Sequence, residues 1–150
     1  MTEILFYQLQ RQSVEQVLPS LLEKSLERGW KVVVQSASDE RLDALDAYLW
    51  TYRDDAFLPH GSAREPEAPR QPILLTATDS NPNGASVRFL IDGAEIPPDL
   101  DRYQRIVLLF DGEDEEAVAR ARGHWNDAKA RGLEATYWQA DENGRWQRKA

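Results

Sequence analysis

The stretch EILFYQLQRQSVEQVLPSLLEKSLERGWKVVVQS, residues 3–36, decides how the chain folds. Ile4 to Leu9 is a short apolar and aromatic run with the character of a strand. Ser13 then offers a hydroxyl as an N-cap, and Gln16 stands three residues on, the spacing of a capping box. Val14, Val17, Leu18, Leu21, Leu22 and Leu26 follow at helical spacing, and Gly29 ends the helix. Trp30 to Ser36 contains the β-branched run of a strand buried on both faces of a parallel sheet. A strand, a helix and a strand in that order make a right-handed crossover between parallel strands.

The same grammar continues outward. Ser38 or Asp39 caps a second helix whose stripe is Leu42, Leu45 and Leu49. Residues 61–72, GSAREPEAPRQP, are polar, Pro-rich and without period, which predicts a surface loop. Ile73 to Thr78 reads as a third strand, SNPNG as a turn and Ser86 to Asp92 as a fourth strand. Asn83-Gly84 suits either a hairpin or a turn between consecutive, unpaired strands. Residues 97–103 read as a turn or helical loop. Arg105 to Asp111 is the most apolar strand and is expected at the centre of the sheet. Glu113 to Arg131 reads as a long helix stopped by Gly132, Leu133 to Ala140 as a last strand, and Asn143-Gly144 as the turn of a final hairpin. The expected fold is α/β: a single domain over residues 1–150, with a mostly parallel, twisted sheet flanked by helices in a Rossmann-like topology.

A chain of 150 residues buries about two-thirds of its unfolded surface and needs no staple. The lack of cysteine rules out disulfides, thiol catalysis and Cys-ligated zinc. With no basic leader and no apolar stretch near the roughly 20 residues of a membrane span, the expected location is cytoplasmic. The net charge of −8 argues against strong direct nucleic-acid binding. Its distribution is uneven: residues 1–119 hold 11 Lys and Arg against 22 Asp and Glu, whereas residues 120–150 hold 7 against 4. The basic end reflects either cations favoured at a helix C-terminus or a site for an acidic ligand.

A nucleotide- or phosphate-binding enzyme is the first alternative for such a fold. Phosphate cradles require glycine after the first strand, where backbone N–H groups meet the anion at a helix N-terminus. The turns QLQRQS and QSASDE contain none, and Gly112 is followed by Glu113, Asp114, Glu115 and Glu116. Those acids suit the first turn of a helix through its macrodipole. His60 and His124 lack metal-ligand spacing, and a lone histidine after proline suits a turn or cap residue bonded to backbone. No catalytic residue, metal site or cofactor is expected.

The last helix is more informative. With Ala121 as reference, Ala117, Val118, Trp125 and Ala128 fall within about 60° on a helical wheel, and Arg122 and Lys129 at about 80–100°. One flank therefore reads Val118, Arg122, Trp125, Lys129. Either Trp125 is core and the cations snorkel at its border, or the flank receives a ligand with an apolar side chain and a carboxylate.

The stretch LDAYLWTYRDDAFLPHG, residues 45–61, resembles the signature of the chi subunit of bacterial DNA polymerase III, which runs Leu-Asp-x-x-Leu-Trp and then Phe-x-Pro-His. The matching residues are Leu45, Asp46, Leu49, Trp50, Phe57, Pro59 and His60. The opening LFYQL is similar to the family's Phe-Tyr-x-Leu start, whereas residues 62–100 do not contribute. The resemblance implies a non-enzymatic clamp-loader accessory protein with a nucleotide-binding-like fold and no nucleotide. It implies two partners: the acidic, Phe-terminated tail of single-stranded DNA-binding protein, and the psi subunit or a repair helicase. It places the tail on the last helix, where Arg122 matches a family Arg and Trp125 replaces a Tyr. Val118 stands where the family has Lys, and Lys129 where it can carry another basic residue. It places the second partner at aromatics matching Trp50 and Phe57.

Overall fold

The computed structural model describes residues 2–52, 58–141 and 143–150. Its elements are β1 (Glu3–Leu9), α1 (Val14–Glu27), β2 (Val32–Ser36), α2 (Asp39–Thr51), β3 (His60–Ser62), β4 (Ile73–Thr76), β5 (Val87–Ile91), β6 (Arg105–Asp111), α3 (Glu115–Ala130), β7 (Glu134–Ala140) and β8 (Trp146–Arg148). Single 3₁₀ turns lie at Ala68–Arg70 and Leu100–Arg102. The strands form one sheet in the order β3-β4-β2-β5-β6-β1-β7-β8. Every pairing is parallel except that of β8 with β7. The α/β expectation holds, and β6 lies inside the sheet between β5 and β1.

Local chemistry sets the helix starts. The Ser13 hydroxyl accepts from the Gln16 N–H at 3.2 Å, and Gln16 Oε1 accepts from the Ser13 N–H at 2.8 Å, closing the capping box. Ser38, rather than Asp39, caps α2 through the Arg41 N–H. α3 begins two residues later than its acidic run predicts. The Asp114 carboxylate serves as its N-cap, accepting from Glu116 and Ala117, and Asp111 holds the Glu113 N–H.

The sheet has a core on each face. Leu5, Val34, Phe89 and Val107 face α1 and α2, meeting Leu18, Leu22, Leu45 and Leu49. Ile4, Phe6, Val33 and Leu108 face the other way, toward Ala121 and Ala128 of α3. Strand residues alternate between the two layers, as a pleated strand requires.

The surface loop expected over residues 61–72 is partly ordered structure. His60, Gly61 and Ser62 pair in parallel with Ile73, Leu74 and Leu75 as an edge strand, and Ala68 is buried. The polar residues hid a strand whose role is to satisfy the edge of β4 through its backbone. The Asn83-Gly84 turn joins strands that do not pair, since β2 lies between β4 and β5. The tail hairpin forms as expected, with Gly144 at φ +78°. Inside β5, Arg88 is fully buried. Its guanidinium donates to Gln35 Oε1, the Thr78 and Ser80 carbonyls and the Tyr103 hydroxyl.

Candidate protein-interaction site

α3 packs on β6 and β7 and brings its flank onto a bed of rings. Trp125 is half-buried, meeting Phe6 edge-on at 5.4 Å between centroids and Tyr137 edge-on at 5.9 Å. Tyr137 stacks on Phe6 at 6.2 Å and meets Phe110 edge-on at 6.0 Å. Its hydroxyl donates to Gln8 Oε1. Lys129 Nζ lies 4.9 Å from the Trp125 ring centroid, a cation–π contact. Val118 is half-buried one turn before Arg122. Arg122 and Lys129 are exposed, and no carboxylate lies within 4 Å of either among the described residues.

The structure bears on the first reading of this flank. Trp125 is indeed core on one side, but it is incompletely covered; Lys129 lies against its face, and Arg122 has no carboxylate partner among the described residues. The arrangement suits a ligand that offers an apolar group to the rings and a carboxylate to Arg122. Sequence reasoning missed Phe6, Phe110 and Tyr137, which come from three different strands. The one available signal was Tyr137 beside Trp138 in β7, since neighbouring strand residues must face opposite ways.

Tyr137 also reports on Arg122. Burial raises the Tyr137 pKa above its ordinary value of 10.0, and the positive charge of Arg122 opposes that rise. Arg122→Ala is expected to move Tyr137 ionisation to still higher pH, read by ultraviolet difference titration of phenolate. An unchanged titration would separate Arg122 from the ring cluster. Because the shift is upward, neutral Tyr137 adds stability that is present below pH 10 and lost as pH rises through the folded-state value.

Trp50, on α2, is 49% exposed. Its ring lies 4.4 Å from that of His60, which is buried beneath it. His60 Nδ1 lies 2.6 Å from the Leu58 carbonyl and Nε2 lies 3.0 Å from Asp46 Oδ1. His60 therefore pegs the chain after α2 and supports the indole, which agrees with a backbone-bonded structural histidine. Phe57 lies outside the described residues. Tyr52 packs against the α1–α2 core and donates its hydroxyl to Glu23. Trp50 and Trp125 stand on opposite faces of the sheet, near β3 and β7 respectively. Six strand spacings separate those strands, on the order of 30 Å.

A cleft of about 660 Å³ opens at the carboxyl ends of β1, β5 and β6, where open α/β sheets carry ligands. Its lining is mixed and net acidic: Arg41 is held by Glu15 at 2.5 Å and Asp92 at 3.1 Å, Asp111, Glu113 and Asp114 line the same mouth, and Arg11, Arg120 and His124 line it with them. Gly112 serves packing instead: its N–H donates to the Leu9 carbonyl at 2.6 Å, and a Cβ there would stand 2.7 Å from Gln8. Among the described residues no group of three or more His, Asp or Glu is placed to hold a metal ion, and no helix is long and apolar enough to cross a membrane.

A parallel sheet flanked by helices, with acids where a phosphate loop would stand, defines a nucleotide-binding-like fold without a phosphate cradle. The family model described as DNA polymerase III chi subunit, HolC, matches residues 1–136, and the chain belongs to that family of replication proteins. It is 33% identical over 97 residues to a probable DNA polymerase III subunit chi of Rickettsia prowazekii, covering 61% of this chain and 59% of that protein. It is 26% identical over 106 residues to the DNA polymerase III subunit chi of Pseudomonas aeruginosa, covering 71% of each. The chain thus spans less than two-thirds of the Rickettsia relative. Trp50 and the α3 flank fall inside the matched residues, whereas Tyr137, Trp138 and β8 fall beyond them.

Proposed function

We propose that the protein is a non-enzymatic adaptor of the replication machinery. The α3 flank holds the acidic C-terminal tail of single-stranded DNA-binding protein, and the Trp50 surface docks psi of the clamp loader or a repair helicase. The observation that carries the first half is the half-buried Trp125, resting on Phe6 and Tyr137, between two cations that have no carboxylate partner among the described residues. Arg122 meets the terminal carboxylate, the rings receive the terminal apolar side chain, and Lys129 adds charge. Val118 removes one cation from the family pattern, so capture rests on Arg122. The test is titration of a labelled tail peptide against wild type and Arg122→Ala.

Support for the second half is the exposure of Trp50 on its histidine peg, far across the sheet from Trp125. That separation lets one molecule engage both partners. Trp50→Ala is expected to stay folded, at a cost of about 1 kcal/mol for the lost ring contact with His60, and to lose capture of psi or helicase in a pull-down. Undiminished capture by the folded variant would assign the indole to packing alone.

A further inference from the structure

The face of the sheet opposite the α3 flank has its own aromatic pocket. There Trp138 of β7 and Trp146 of β8 are half-buried and line a pocket together with Leu21, Lys24 and Ser25 of α1. Tyr7 stacks beside Trp138 at 6.2 Å and meets Trp146 edge-on at 4.7 Å. With Trp30 and the apolar floor of Leu5, Phe89 and Val107, they enclose about 270 Å³. This is below the roughly 300–1,000 Å³ of drug-sized ligand sites, so it fits one bulky side chain.

The rim is cationic. Lys24, Arg28 and Arg105 line the pocket, and Arg148 stands opposite Trp138 in the β7–β8 ladder, on the same face. Arg28 and Arg105 both sit against the Trp30 ring, at 5.1 and 5.0 Å. Glu3 answers Arg105 at 3.3 Å and Arg148 Nε donates to the Ala150 oxygen at 2.9 Å, whereas Lys24 and Arg28 have no carboxylate within 4 Å among the described residues. In a chain of net charge −8, this cluster is a local reversal of sign. Trp138 and Trp146 lie beyond the residues the family model matches.

We propose that this pocket is a second docking site, for an acidic peptide segment that inserts one aromatic or large aliphatic side chain. Charge complementarity selects the acidic flanks, and the apolar floor selects the anchor. A nucleic-acid base suits the floor less well, because its polar edges would be buried against Leu5, Phe89 and Val107 without hydrogen-bond partners.

The probe is a nine-residue peptide of alternating Asp and Glu with one central Phe, acetylated and amidated so that it offers no terminal carboxylate to Arg122. Calorimetric titration is expected to show binding to wild type and equal binding to Arg122→Ala. Arg28→Glu, Trp146→Ala and a probe with Ala in place of Phe should each weaken it at least tenfold. Arg28→Glu is an exposed change, so the test stands even where Trp146→Ala unfolds. Binding unaffected by Arg28→Glu, absent altogether, or abolished by Arg122→Ala would overturn the proposal. A nine-nucleotide oligothymidine that binds more tightly, with the same sensitivity to Arg28→Glu, would also overturn it and assign the pocket to single-stranded nucleic acid. The free-carboxylate tail peptide against Arg122→Ala reports on the α3 flank separately, so the two sites fail independently.

Discussion

Arg88→Met is expected to cost about 3 kcal/mol of stability, lowering the melting temperature by roughly 6–12 °C for a domain of this size. Arg88 is fully buried in the middle of the sheet. Its five donor contacts satisfy Gln35 of β2, the Thr78 and Ser80 carbonyls and the Tyr103 hydroxyl. Methionine fills comparable space but leaves Gln35 Oε1 and the Tyr103 hydroxyl, both on buried residues, without that donor, at roughly 1–3 kcal/mol each before relaxation, while water can reach the Thr78 and Ser80 carbonyls. Removing a buried charge returns part of that cost, because its desolvation disappears. Arg88→Lys keeps the charge but not the planar fork and is expected to be destabilising too. Urea and thermal unfolding measure both variants. A melting temperature unchanged in Arg88→Met would mean that relief of desolvation cancels the lost bonds.

Arg122→Ala is expected to weaken the tail peptide about tenfold or more without changing the fold. A hydrogen bond to a charged group contributes roughly 1.5–3 kcal/mol, and each 1.4 kcal/mol is about a factor of ten in affinity. Arg122 is exposed, so the lower end of that range applies, and Val118 offers no second charge at the preceding turn. Lys129 is partly occupied by the Trp125 face, which leaves it the weaker contributor. Raising salt from dilute to about 0.3 M is expected to weaken wild type more than the variant, since screening acts on the charge the variant lacks. Anisotropy titration of the labelled tail peptide reads both effects. Equal affinities at every salt concentration would remove Arg122 from the site.

Much of this was legible in the residues, for local reasons. The Ser13 capping box, the β-branched run before Ser36 and the leucine stripes of α1 and α2 are written within a few positions of one another. The α3 flank was legible for the same reason: i+3 and i+4 spacing places Val118, Arg122, Trp125 and Lys129 side by side on any helix. His60 was legible as a backbone-bonded residue, though not as the support beneath Trp50. The edge strand at His60–Ser62 was hidden, because three backbone groups that complete β4 leave no mark in side-chain pattern. Arg88 ran against its surroundings, a cation inside an apolar strand, and nothing nearby in the chain revealed Gln35 or Tyr103 as its partners.

The sequence by itself therefore determined the elements, the parallel α/β class and one charged helix flank, since each depends on interactions over a turn or a crossover. Only the tertiary structure decided what lies beneath that flank. Phe6 and Tyr137 meet Trp125, and Phe110 meets Tyr137, because β1 pairs with both β6 and β7 in a particular register. It also decided that Tyr7 and Trp138, one residue away in each strand, open on the opposite face beside Trp146. The pleat sends neighbours apart, and the register brings together rings that are more than a hundred residues distant along the chain.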